Sequence, residues 1–308
     1  MLKVIPISKG IQLAANELSN IEVILEDGGC NGKDALTAYK KLTQVDKVSA
    51  IITVCSPELL AIAPEAEQDH ILVISPSATA PSITNAGDHV FRLAPSDALQ
   101  GEVAADLILE EGYESVGVIY VNHDYGAGLN EVLEDELGSI VVASESFEQE
   151  SSDMRTQLTK LKSKNIDVLY VVGFPKDAAL ILKQKIELGI NVPVIMAEAA
   201  KDTEILAYAD ESVTITVPLA EGDSYESFKV KYTAKFGEAP KIYSGEAYDT
   251  MNVVGLAAQA NPQDLIAGME MVPEYDGAAG YITFDQDGDI SKPYSLFTVE
   301  NHKFVTLN

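Results

Sequence analysis

Short apolar runs alternate with amphipathic stretches along almost the whole chain. Residues 48–54 and 71–74 are apolar nearly throughout and too short for helices, as strands covered on both faces of a parallel sheet are. Between them, Leu60, Ala63, Pro64 and Ala66 are spaced to cover one face of a helix that starts at Pro57. Upstream, Ile11, Ala14, Ala15 and Leu18 mark a first helix. Residues 21–27 (IEVILED) read as a strand with a Gly-Gly exit, and Leu36, Tyr39 and Leu42 place a helix over 33–45. Strand and helix in alternation with short connections imply right-handed βαβ units in a doubly wound parallel sheet.

The segment HVFRLAPSDAL interrupts this series as an extended run. Its Ser96 or Asp97 is placed to cap a helix that Gly112 stops. A second series follows: SVGVIYV, a helix after Tyr125, SIVVASESF, a helix over 154–161, DVLYVV, a helix over 176–188, and VPVIMA. One sheet holding every strand would be unusually wide. The pattern therefore predicts an α/β protein of two Rossmann-like lobes joined by several strands: residues 1–94 and 222–284 in the first, 95–221 and 285–308 in the second. SVTITVPLAEGDS reads as the return crossing, and YESFKVKYTAKFG as a helix beyond it.

Composition narrows the function. A chain of 308 residues with formal charge −27 and pI near 4.3 has no basic patch for nucleic acid and is repelled by anionic membrane surfaces. No apolar run approaches the ~20 residues that span a bilayer. The first residues also lack the apolar core and cleavage site of a signal peptide. The two cysteines, Cys30 and Cys55, each close or follow a predicted strand, and by themselves they read either as buried thiols or as a bridge.

Catalytic signatures are missing. The four histidines are scattered, and HExxH, CxxC, GxSxG and a Walker loop are absent. YGAGL is too short for a dinucleotide fingerprint and reads as a glycine-eased helix start. DQDGD does not have EF-hand spacing and reads as a hairpin turn between GYITF and YSLFTV. Hydroxyls gather at two successive strand ends instead: Ser56 after one strand, then Ser75, Ser77 and Thr79, with Ala78 between, after the next. Hydroxyls with open backbone N–H groups suit a carboxylate, although Ser56 also reads as a helix N-cap. Glu198 directly follows the apolar VPVIMA strand, where a buried carboxylate needs a cationic or hydrogen-bonding partner. Tyr125 sits at a strand-to-helix junction, Phe174 follows DVLYVVG, and Asp249 reads as a helix-orienting or ligand-touching acid.

ISPSATAPSIT, HVFRLAPSDALQG, VNHDYGAG, LGINVPVIMAE, EAYDTMN and GYITFDQDGD occur in one order along nearly the whole chain. Together they resemble the type I periplasmic solute-binding proteins, in the branch that binds branched-chain amino acids (Leu/Ile/Val) for ABC transporters. The resemblance implies two lobes hinged around a cleft, with the family's usual first strand not seen before the first helix. It implies a small, apolar amino-acid ligand passed to a membrane permease, no cofactor or metal, no catalysis, a monomer, and a periplasmic or cell-surface location with the signal or anchor outside this chain. It further implies a Cys30–Cys55 disulfide. Ser56, Ser77, Ala78 and Thr79 would hold the α-carboxylate, Glu198 the ammonium, and Tyr125 and Phe174 would wall the pocket, with Asp249 a frequent family feature. The alternative within the same fold is a sensor that reports its ligand to a signalling partner.

Overall fold

The computed structural model describes residues 4–18, 21–219, 222–272 and 274–307. Helix α1 (Val4–Glu17) buries Ile7, Ile11, Leu13 and Ala14. Residues 21–27, read above as a strand, join no sheet: Ile21 and Val23 pack against the α1 core, whereas Ile24 and Leu25 face solvent. An apolar pattern alone does not make a strand. A ladder partner is also needed, and among the described residues none pairs with this segment.

Helix α2 (Gly32–Gln44) is capped by the side chain of Asn31, which accepts the Asp34 N–H. Strand β1 (Ala50–Ile52), helix α3 (Ser56–Asp69), β2 (Leu72–Ser75) and β3 (Val90–Arg92) follow, and the strands form a parallel sheet in the order β1-β2-β3. The buried face of α3 is Leu59, Ile62, Ala63 and Ala66, while Pro64 lies exposed. Spacing of i, i+3, i+4 and i+7 from Leu59, just inside the helix start, sets this face.

The second series runs α4 (Asp97–Glu110), β4 (Val116–Val121), α5 (Asp124–Leu137), β5 (Val141–Phe147), α6 (Arg155–Lys162), β6 (Val168–Val172), α7 (Pro175–Glu187), β7 (Val194–Met196) and β8 (Val213–Pro218). Then come α8 (Tyr225–Phe236), α9 (Ser244–Ala260), α10 (Leu265–Glu270), the antiparallel pair β9 (Tyr275–Gly277) and β10 (Gly280–Ile282), and finally β11 (Tyr294–Glu300) and β12 (Lys303–Leu307). The seven-stranded sheet has the order β12-β11-β8-β7-β6-β4-β5; β4 to β8 are mutually parallel, and β11 is antiparallel to both of its neighbours.

Two compact units result. Unit 1 comprises Met1–Ser96 and Leu219–Lys292, and unit 2 comprises Asp97–Pro218 and Pro293–Asn308. Residues 285–292, expected with the second lobe, thus fall in unit 1. The reason is a buried ion pair: the Asp289 carboxylate meets the Arg92 guanidinium at 2.6 Å. The same pairing corrects the hairpin reading of DQDGD. Strand β10 pairs with β9, and β11 pairs with β8 and β12, so the turn joins strands of different sheets.

Candidate functional site

In unit 1, the loop after β2 packs onto the first turn of α3. Ser56, the first residue of that helix, is buried, and its Oγ accepts the N–H groups of Thr79 and Ala80, both at 3.2 Å. Ser75 Oγ likewise accepts the N–H groups of Ser77 (3.3 Å) and Ala78 (3.0 Å) while donating to the Thr53 carbonyl. Ser77 Oγ donates to the Val54 carbonyl at 2.7 Å. The N–H groups of Ser77, Ala78, Thr79 and Ala80 are therefore all engaged within the unit. Ser56 is not the N-cap; that position is Cys55, and the Glu58 carboxylate accepts the N–H groups of Cys30, Val54 and Cys55.

What remains here is a set of donors. Among the described hydrogen bonds, the Ser56 hydroxyl hydrogen, the Ser56 N–H and the Thr79 hydroxyl hydrogen find no acceptor. They stand at the positive end of a 14-residue helix. Such a cluster favours an anion with several lone pairs, as a carboxylate has.

In unit 2, three neighbouring parallel strands in the order β7-β6-β4 bring their carboxyl ends side by side. In sheets of this kind, ligands are met at those ends. Tyr125 lies in the first turn of α5 after β4, Phe174 caps α7 after β6, and Glu198 follows β7. Tyr125 and Phe174 stack with ring centroids 6.0 Å apart and planes 17° apart. The Tyr125 hydroxyl donates to Glu198 Oε2 at 3.2 Å, and Glu198 is only 2% exposed. Burial first, and the Glu198 charge second, push the Tyr125 phenol well above its ordinary pKa, so it stays a donor. A buried carboxylate beside aromatic faces is chemistry for a cation.

Of the residues predicted from sequence, Ser56, Ser77, Ala78 and Thr79 come together in unit 1, and Tyr125, Phe174 and Glu198 come together in unit 2. Asp249 is engaged otherwise. It is fully buried in α9, and its two carboxylate oxygens accept the N–H groups of Ala278 (3.0 Å) and Ala279 (2.7 Å) in the β9–β10 turn. Gly277 makes this possible, because a Cβ there would fall onto the Asp249 carboxylate.

The profile of a family described as Periplasmic binding protein matches residues 5–303. The chain belongs to the periplasmic binding protein family. Among curated relatives, it is 26% identical over 302 residues to the leucine-, isoleucine-, valine-, threonine- and alanine-binding protein of Pseudomonas aeruginosa, covering 94% of this chain and 80% of the relative. It is 25% identical over 286 residues to the Leu/Ile/Val-binding protein of Escherichia coli, covering 88% and 77%. Two solved structures show the same fold at 25% identity and cover 98% of this chain. The leucine-binding protein LivK of Thermotoga maritima has a TM-score of 0.88 with 92% of its own chain covered. LivJ of Streptococcus pneumoniae, solved with isoleucine, has a TM-score of 0.86 with 94% covered.

As a periplasmic binding protein the chain is a solute-binding component of transport and not an enzyme. The structure adds residues that sequence reasoning passed over. The His123 ring stands 6.0 Å from Tyr125 and 5.5 Å from Phe174, completing a triangle of rings. Asp97 is fully buried at the start of α4, and its charge acts on both Tyr125 and Tyr170. Among the described residues, Arg92 is the largest fully buried side chain. A lone arginine in the otherwise apolar VFRL run was the signal for it, since a buried guanidinium must have partners.

Proposed function

We propose that the protein captures a zwitterionic α-amino acid with an apolar side chain and delivers it to an ABC transporter permease. The observation that carries this reading is Glu198, buried at the end of β7 and flanked by Tyr125 and Phe174, a setting that suits the ligand's ammonium. The α-carboxylate goes to the donors of Ser56 and Thr79 in unit 1. Phe174 and Tyr125 supply apolar faces for the side chain. Hinge closure is the mechanism this reading carries: a ligand that touches both lobes favours the closed population, and no bond is made or broken. The curated relatives named above bind leucine, isoleucine and valine, which makes leucine the first ligand to try. The protein acts as a monomer outside the cytoplasm, in the periplasm or at the cell surface.

A thermal-shift panel tests the reading. A ligand that binds only the folded state raises stability by about 2.7 kcal/mol at a hundredfold excess over Kd. Leucine, isoleucine and valine should each raise Tm, while leucinamide and 4-methylpentanoate should raise it far less. Equal shifts with 4-methylpentanoate would remove Glu198 as the ammonium partner, and no shift with any amino acid would overturn the reading.

A further inference from the structure

Arg92 lies in β3 and is wired to the proposed donors. All five of its N–H groups are spent. Nε and Nη2 grip the two Asp289 oxygens at 2.6 Å each, Nη2 also donates to Thr84 Oγ1 at 2.8 Å, and Nη1 donates to the carbonyls of Thr79 (3.0 Å) and Ala80 (2.9 Å). Thr84 Oγ1 passes its own hydrogen to Asp289 Oδ2 at 2.7 Å. Asp289 is held in turn, since its N–H donates to Asp285 Oδ1 at 3.0 Å and its carbonyl accepts the Asp285 N–H at 2.9 Å. Arg92 is fully buried and Asp289 nearly so.

The Thr79 carbonyl and the Ala80 N–H belong to one peptide group. Arg92 donates to the first, and the second donates to Ser56 Oγ. The chain of donors therefore runs from Arg92 through peptide 79–80 to Ser56. Hydrogen bonds in series polarise one another, more so in a buried, low-dielectric setting. With two N–H groups pointing at its oxygen, the Ser56 hydroxyl is left to act as a donor, and its direction is fixed.

Resting on the reading of Ser56 as a carboxylate ligand, we propose that Arg92, Asp289 and Thr84 form a positioning network for the carboxylate end of the site. Through peptide 79–80 the network fixes Ser56 as an anion-selective donor. It touches no ligand atom itself. Removing it lets the 79–80 loop rotate and allows Ser56 to turn its hydroxyl inward, so selection for an anionic end is lost while selection for the ammonium is retained.

The test is calorimetric titration of wild type, Asp289→Asn and Thr84→Val with leucine, leucinamide and 4-methylpentanoate, at a temperature where melting curves show each protein folded. Asp289→Asn should weaken leucine binding about tenfold, the worth of one charge-assisted hydrogen bond, and Thr84→Val about threefold. The preference for leucine over leucinamide should shrink by the same factors. The preference for leucine over 4-methylpentanoate, which reports on Glu198, should stay at its wild-type value. A purely structural role would lower Tm and leave both preferences intact, and that result overturns the network's proposed role. If Asp289→Asn does not fold, Thr84→Val decides by the same two ratios. Wild type that fails to bind leucine overturns the amino-acid reading, and this inference falls with it; wild type that binds leucine with variants that bind it equally well overturns the inference alone.

Discussion

Tyr125 and Glu198, 73 positions apart, meet in a hydrogen bond of 3.2 Å in which the phenol is the donor. One comes from the start of α5 and the other from the end of β7, and the parallel order of β4, β6 and β7 is what brings them together. A carboxylate offers about four lone-pair sites, and Tyr125 takes one of them. The bond also orients the carboxylate before any ligand arrives, which lowers the ordering cost of binding.

The two ends of the proposed ligand should therefore differ in their sensitivity to mutation. Glu198→Gln leaves the ammonium desolvated against a neutral amide, a loss on the order of 3–5 kcal/mol for a buried pair. Ser56→Ala removes one donor and also strips the Thr79 and Ala80 N–H groups of their acceptor. Its loss should be roughly 1–3 kcal/mol, more than a single neutral hydrogen bond, because buried donors are left unsatisfied. Titrating both variants with leucine in one buffer decides the order. A larger loss for Ser56→Ala would mean that the carboxylate end dominates recognition.

Gly126 should tolerate no side chain. A Cβ at this position would overlap the Val121 carbonyl at the end of β4, because the first turn of α5 packs directly on the strand. The sequence explained the glycine by helix initiation; the close approach is the stronger reason. Gly126→Ala must push α5 outward, and overpacking of this kind costs typically 1–3 kcal/mol. The neighbouring Tyr125 moves with it. A lower Tm together with weaker leucine binding is expected, and a variant with wild-type affinity would show that Tyr125 does not need its seat.

How far the sequence could be read depended on whether partners were close along the chain. The hydroxyl-rich loop at residues 75–79 and the acid at Glu198 stand directly after apolar strands, so local order exposed them. The Arg92–Asp289 pair spans 197 positions, and nothing in either segment names the other. Residues 21–27 show the opposite failure. Their apolar pattern is strand-like, but pairing depends on a neighbour that the pattern does not contain. Asp249 was ambiguous because an acid in an early helical turn can orient the helix as well as touch a ligand; its contacts with the Ala278 and Ala279 N–H groups are a role that neither reading contained.

Asp249 also makes a pH prediction. Burial lifts its carboxyl to about 7, against the pull of the Ala279 and Ala278 N–H groups and of Lys292, and with Glu246 adding to the lift. Tyr275 lies close enough to feel the Asp249 charge. An unfolded aspartate titrates near 3.9, so between about pH 4 and pH 7 the folded chain holds a proton that the unfolded chain has released. The stability this contributes is complete below about pH 4 and is lost as pH rises through 7. Tm should fall from pH 5.5 to pH 8, and Asp249→Asn should flatten that fall while starting lower, since its amide cannot accept both N–H groups. Burial raises the Glu246 carboxyl in the same direction, so some slope should remain. Identical slopes in wild type and variant would place the pH dependence elsewhere.

The Cys30–Cys55 disulfide, with Cα atoms 5.4 Å apart, should stabilise the protein and steady the carboxylate end at once. Cys30 sits in a left-handed conformation (φ 54°) directly after Gly29, and its N–H donates to the same Glu58 carboxylate that accepts the N–H groups of Val54 and Cys55. The bridge and Glu58 thus clamp the start of α3 one residue before Ser56. A cross-link between cysteines separated by 25 positions removes loop-closure entropy from the unfolded chain. In the chain-entropy account this is worth roughly 3–4 kcal/mol. The double variant Cys30→Ser/Cys55→Ser should melt several degrees lower and bind leucine more weakly, because the start of α3 then depends on Glu58 alone. Thiol titration of denatured, unreduced protein should find none in wild type. If the double variant melts lower but binds leucine as wild type does, the bridge serves stability only, and Glu58 suffices to hold Ser56 in place.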